Sequence, residues 1–262
     1  MNDFERAISI LTKGDRHRVW SLIVTVFGDL AGSHGDEIGV QTLGKLTEPL
    51  GVKAEALRVA LHRLRKEGWL ESRRDGRSST YFLTAMGLHQ TEIATPRIYC
   101  QTDPEALQWK VYLTSGSSES ASNFLSSLEN SGNAVRLSNN AFLGEALEAD
   151  MTANVLTTLV DSTIVPDWVR TSVISEGTCN SYEALSQSFR QVGQLASIPH
   201  DALQRATLRT LIVHSWRRIR LRHLDAPEAF YPTKCFAKEC KSQYLELLEK
   251  LPRPSLEEIS KA

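Results

Sequence analysis

The sequence predicts an α+β chain in three segments, on three observations. Apolar residues recur at helical spacing towards both ends of the 262-residue chain. Two strand-like runs, 69–74 and 78–83, flank Asp75-Gly76, the kind of pair that closes a two-residue hairpin. A strand, helix, strand, strand alternation then fills 109–160. With 41% apolar and 23% charged residues, the composition is that of an ordinary globular protein.

Each element has its own signal. In 16–31, Val19, Ile23, Val26 and Leu30 share one helical face, with Trp20 and Phe27 beside them. Thr42 is placed to cap a short helix with Leu43, Leu46 and Leu50 inward, and Pro49 and Gly51 end it in a tight turn. A second helix runs from Lys53 to Glu67 and stops at Gly68. Residues 91–106 read as a linker. Trp109–Thr114, Ala134–Leu137 and Asn154–Val160 read as strands, with a helix over 119–130 that points Phe124, Leu125 and Leu128 inward. This order suits a ferredoxin-like sandwich. Helices are expected over 181–197, 201–224 and 234–250, the second with a stripe of Leu208, Ile212, Trp216 and Ile219. The expected division is therefore 1–90, a linker at 91–106, 107–175 as the central domain and 176–262 as a helical C-terminal domain.

The net charge of −1 excludes nothing, but its distribution is informative. Residues 1–90 carry 13 Lys/Arg and 11 Asp/Glu, 91–200 carry 5 and 12, and 201–262 carry 12 and 8. From Lys53 to Tyr81 there are eight basic residues and four acids, a local surplus of four positive charges.

Helix, turn, basic helix and hairpin in this order predict a winged helix-turn-helix whose second helix enters the major groove of DNA. Leu57, Ala60, Leu61 and Leu64 form the docking side of the 53–67 helix. Arg58, His62 and Arg65 recur at i, i+4, i+7 on another face, with Glu55 and Lys66 beside them. Arginine reads guanine through paired hydrogen bonds to O6 and N7, so these three are the expected base readers. Arg63 points elsewhere, to a phosphate or to solvent. Lys53, Arg73, Arg74 and Arg77 are expected to hold the DNA backbone, the last three from an arginine-rich wing. A winged helix that docks another protein instead of DNA remains the alternative.

Three stretches carry a family resemblance: SLIVTVFGDL (21–30), LGVKAEALRVALHRLRKEGWL (50–70) and GRSSTYFLTAMG (76–87). They resemble the start of PaaX-type regulators, the repressors of phenylacetic acid degradation operons. HSWRRIRLRHLDAPEAFYP (214–232) resembles that family's basic helix and Asp-Pro segment, with Ala226 between Asp225 and Pro227 here. CFAKEC (235–240) stands where the family continues with a leucine- and proline-rich stretch and Trp-Pro-Gly. The resemblance implies a homodimeric repressor of an aromatic-acid catabolic operon with a ferredoxin-like centre and a dimerising helical C-terminus. It also implies release from double-stranded operator DNA by an aryl-coenzyme A thioester.

Other chemistry finds less support. The strand at 109–116 lacks the carboxylate with which the related endonuclease fold would hold a metal. No pair among His17, His34, His62, His89, His200, His214 and His223 has metal-ligand spacing, and Cys100, Cys179, Cys235 and Cys240 form no zinc set and read as reduced thiols. Ser117-Ser118 and Ser126-Ser127 lack a His/Asp context, and neither a nucleophile elbow nor a phosphate loop occurs. No enzyme activity, cofactor, metal or membrane association is expected, and the N-terminus lacks a secretory pattern, so a cytoplasmic location is expected. Arg217, Arg218, Arg220 and Arg222, with Trp216 as a stacking surface, suggest an effector site in which guanidinium groups grip the phosphates of an acyl-coenzyme A; a solvated helix face or a dimer contact is the competing reading.

Overall fold

A computed structural model of the chain describes residues 1–13, 18–76, 78–101, 103–104, 108–115, 119–130, 132–145, 154–160, 164–195, 199 and 201–262. The fold is α+β, with helices at both ends, in two compact units. Unit 1 gathers Met1–Tyr99, Ala184–Arg218 and Glu239–Ala262; unit 2 gathers Cys100–Glu183 and Ile219–Lys238.

Unit 1 begins with α1 (Asp3–Thr12), closed by an Asn2/Glu5 capping box, and α2 (Val19–Leu30). Ile23, Val26 and Leu30 of the expected face of α2 are buried, with Phe27 and Leu22 beside them, while Val19 and Trp20 are only half-buried. A short strand, β1 (Ile38–Gly39), precedes α3 (Val40–Thr47), a 3₁₀ turn at Glu48–Leu50, and α4 (Ala54–Lys66). Thr42 does not cap α3: the helix starts two residues earlier, behind Gly39, with no side-chain cap bond. Gly51 (φ 78°) and Gly68 (φ 76°) are left-handed, and each closes a helical segment where a side chain would be strained.

Strands β2 (Leu70–Asp75) and β3 (Ser78–Leu83) form the hairpin, with Asp75 opposite Ser78. Asp75, expected in the turn, is instead the last residue of β2. β1 adds to β3, giving an antiparallel sheet in the order β1-β3-β2. α5 (Ala85–Ile98) follows at once, so residues 91–98 are helix and not linker.

The last helices of unit 1 are most of α8 (Glu176–Gly193) and α9 (Ala202–Arg220), then α10 (Ala237–Lys250) and α11 (Leu256–Lys261). They do not form a separate C-terminal domain. Ala206 and Ile259 are buried in the same core as Ile23, Phe27, Leu43, Leu61 and Leu83. Arg209 of α9 makes a bidentate ion pair with Asp29 of α2 at 2.9 Å, and Tyr99 donates a 2.6 Å hydrogen bond to the same carboxylate. Arg209 also donates to the Leu251 carbonyl, and Arg253 to the carbonyl of Asp29. Buried charges need this degree of pairing, and the pairing ties the chain's two ends together.

Unit 2 holds β4 (Trp109–Thr114), α6 (Glu119–Asn130), β5 (Ala134–Ser138), β6 (Ala141–Glu145), β7 (Val155–Leu159) and α7 (Asp167–Val173). The antiparallel sheet has the order β5-β6-β4-β7. Tyr112, Leu125, Leu128 and Phe142 form one core; Trp109, Leu143, Val173, Ile174 and Phe230 form another. Strand β6 has no counterpart among the sequence expectations. Its Gly144 lowers strand propensity, yet a Cβ there would meet the Asn133 carbonyl at 2.7 Å, so the close approach of β5 demands glycine.

Candidate nucleic-acid interface

The apolar side of α4 is buried through Leu57, Ala60, Leu61 and Leu64. A helix fixed by one side must present the other. Lys53, Glu55, Arg58, His62, Arg65 and Lys66 are all exposed. Arg58, Arg65 and Lys66 have no ion-pair partner among the described residues, so their charge is uncompensated. Arg63 is held differently from either expectation. It bonds Glu67 at 2.7 Å and lies 4.8 Å from the centre of the Trp20 ring, which fixes α4 against α2.

The hairpin projects Arg73 and Arg74, both exposed; Arg77 lies outside the described residues. Arg73 is ion-paired to Glu37 at 2.8 Å. That contact spans 36 residues and leaves no local sequence signal. We expect Glu37→Gln to free this guanidinium and to steepen the salt dependence of DNA binding by about 0.9 in log–log slope, the worth of one added phosphate contact. An unchanged slope in a salt titration would leave Arg73 outside any DNA contact.

Val59 is a residue that the charge pattern passes over. It lies on the presented side of α4, beside Lys66 and beyond His62, and is 69% exposed. An aliphatic group there suits contact with a thymine methyl. The position breaks the polar face, which is the only trace it leaves in the sequence.

α4, the hairpin and α5 meet at one joint. The Trp69 amide donates to the Leu64 carbonyl, and the Thr84 amide donates to the Trp69 carbonyl. The Thr84 hydroxyl donates to the Gly68 carbonyl and accepts from the Gly87 amide. The orientation of the hairpin relative to the basic helix is therefore set by bonded backbone.

The residues expected to bind an effector differ in how far they are exposed. Trp216 is 1% exposed, donates its indole N–H to the Ile98 carbonyl and stacks on Tyr244, so it is a core residue with no face to offer an acyl group. Arg220 is buried and ion-paired with Asp225. Arg218 is half-buried and Arg222 exposed. Arg217 is half-buried and donates to the Thr25 hydroxyl at 3.0 Å. Among the described residues no group of three or more His, Cys, Asp or Glu could hold a metal ion, and no helix is long and apolar enough to cross a membrane. His17, His200 and Ser117-Ser118 lie outside the described residues.

This is an α+β chain that presents a basic helix beside an arginine-bearing hairpin, and in that segment it is PaaX-like: the family model described as PaaX-like protein matches residues 18–87. Over 97 residues the chain is 40% identical to the transcriptional repressor PaaX of Escherichia coli strain K12, a match that spans 37% of this chain and 31% of that protein. The resemblance read from the sequence thus stands on its N-terminal motifs. Across 92% of its length the chain shares a fold with the uncharacterized protein Rv0674 from Mycobacterium tuberculosis, at 17% identity, a TM-score of 0.53 and 97% coverage of that chain.

Proposed function

We propose that the protein is a sequence-specific, DNA-binding transcriptional repressor. The observation that carries this reading is the uncompensated basic side of α4, exposed beside the hairpin within the segment that matches the family. α3, the turn through Gly51, α4 and the β1-β3-β2 sheet act as a winged helix-turn-helix. Arg58, His62 and Arg65 read bases, Val59 meets a thymine methyl, and Lys53, Lys66, Arg74 and Arg77 hold the backbone. The order β5-β6-β4-β7, with α6 crossing between β4 and β5, supports a ferredoxin-like reading of unit 2.

The repressor works as a cytoplasmic homodimer on a two-fold operator, because a dimer matches two half-sites about one helical turn, or a multiple, apart. Release by an aryl-coenzyme A thioester is supported by the family likeness alone. No catalytic role is proposed.

The test is fluorescence anisotropy at about 150 mM salt, where exposed charges act only over about 8 Å. Promoter and scrambled duplexes are compared, with and without phenylacetyl-coenzyme A. Tight binding to the promoter alone is the expected result, and Arg58→Ala should cost about 1–3 kcal/mol and relax specificity at one base pair. Equal losses on promoter and random DNA would make Arg58 a phosphate contact. No preference between duplexes that include the operator would turn the basic helix into a protein-docking surface.

A further inference from the structure

Within unit 1, α2, α5 and α9 leave a cleft of about 50 Å³, open on one side. Its walls are apolar where Val24, Ala94 and Val213 line it, and Arg217 lines it as well. Arg217 has one hydrogen bond, to the Thr25 hydroxyl, and no carboxylate partner among the described residues. Burial holds its guanidinium below the usual arginine range. The acid in the same wall, Asp29, is already taken by Arg209 and Tyr99. The cleft thus joins a partly desolvated cation with spare N–H donors to an apolar floor, and a cation drawn out of water favours an anion beside it.

Gly28 gives a second, independent observation. It sits inside α2, where glycine costs about 1 kcal/mol relative to alanine. Packing does not demand it: a Cβ there would meet nothing nearer than Thr91 Cγ2 at 3.5 Å, an ordinary contact. Its missing methyl is space in the cleft.

We propose that this cleft binds a small organic carboxylate, its oxygens on the Arg217 guanidinium and its short apolar body between α2, α5 and α9. Guanidinium pairs with carboxylate through parallel hydrogen bonds. One cation and an apolar floor favour a monoanion over phosphate. A coenzyme A nucleotide does not fit this space, so the site is separate from any thioester site. Trp69 lines the same cleft and sits at the joint between α4 and β2, so an occupant bears directly on the DNA-reading elements. That coupling, unlike the binding itself, rests on the repressor reading.

The test is isothermal titration of the full chain with acetate, propionate and butyrate at fixed ionic strength, with phosphate and chloride alongside. Saturable 1:1 binding is expected, with affinity rising about fourfold for a methylene that enters the apolar floor. Arg217→Met should weaken propionate by about tenfold or more. Gly28→Ala should weaken it about fivefold or more by filling the cleft, without lowering the melting temperature. Absence of saturation in the wild type, equal binding of phosphate, or unchanged affinity in both variants would overturn the site. Because no DNA is present, a chain that binds propionate but no operator fails the repressor reading alone, and the reverse result fails this one alone.

Discussion

Asp29→Ala is expected to cost about 3–5 kcal/mol of stability, the cost of breaking a buried ion pair from one side. Asp29 is 1% exposed, and its carboxylate accepts three guanidinium hydrogen bonds and one from a tyrosine hydroxyl. Removing it leaves Arg209, itself buried, with a charge and no counter-charge. Burial works against that charge, yet Asp29, with Tyr99 and Tyr244 beside it, outweighs burial and holds the guanidinium above its usual range. Tyr99→Phe removes only a hydroxyl from the same network and should cost about 1 kcal/mol. Arg209→Met added to Asp29→Leu should recover most of the loss, since an apolar pair of similar volume replaces a buried ion pair at little cost. Urea denaturation of the three variants measures this. A loss below about 1 kcal/mol for Asp29→Ala would mean that water reaches the pair and that Asp29 does not join the ends of unit 1.

What could be read in the sequence was local. The docking side of α4 followed from Leu57, Ala60, Leu61 and Leu64 at helical spacing, and the same period placed Arg58, His62 and Arg65 where the structure exposes them. The hairpin followed from Asp75-Gly76, to within one residue. What could not be read was distant. Asp29 and Arg209 are 180 residues apart, and neither position shows that its charge is buried. Without that pair, the C-terminal helices look like a domain of their own. The same blindness made Trp216 and Arg220 look like ligand groups, because a stripe of charges on a helix does not say which of them another element covers. Residues 91–98 read as a linker, yet they continue α5 to Ile98 with Pro96 inside the helix, so the local composition did not show where the helix ends.

Gly87→Ala is expected to be the most damaging single methyl in the N-terminal segment. An added Cβ would lie 2.4 Å from the Trp69 carbonyl oxygen and 3.0 Å from a Leu83 methyl. The first of these is backbone, and its carbonyl already accepts the Thr84 amide, so it cannot swing away without breaking the joint. Overpacking of this kind costs about 1–3 kcal/mol, and a backbone obstacle places the expected loss at the upper end. Relief must come from moving α5 away from the start of β2, which tilts the hairpin relative to α4. Operator affinity should therefore fall by more than the loss of folded protein explains. Gly44→Ala is the matched control: it adds the same methyl to α3, one helix before the basic one, with nothing within 4 Å. Helix propensity alone should make it more stable by up to about 1 kcal/mol, with DNA binding unchanged. Thermal unfolding and anisotropy on both variants separate the outcomes. If Gly87→Ala melts like the wild type, the joint is soft, and the wing angle is set by the DNA and not by the protein. If it melts lower but binds the operator normally once the folded fraction is counted, the joint supports the fold without aiming the wing.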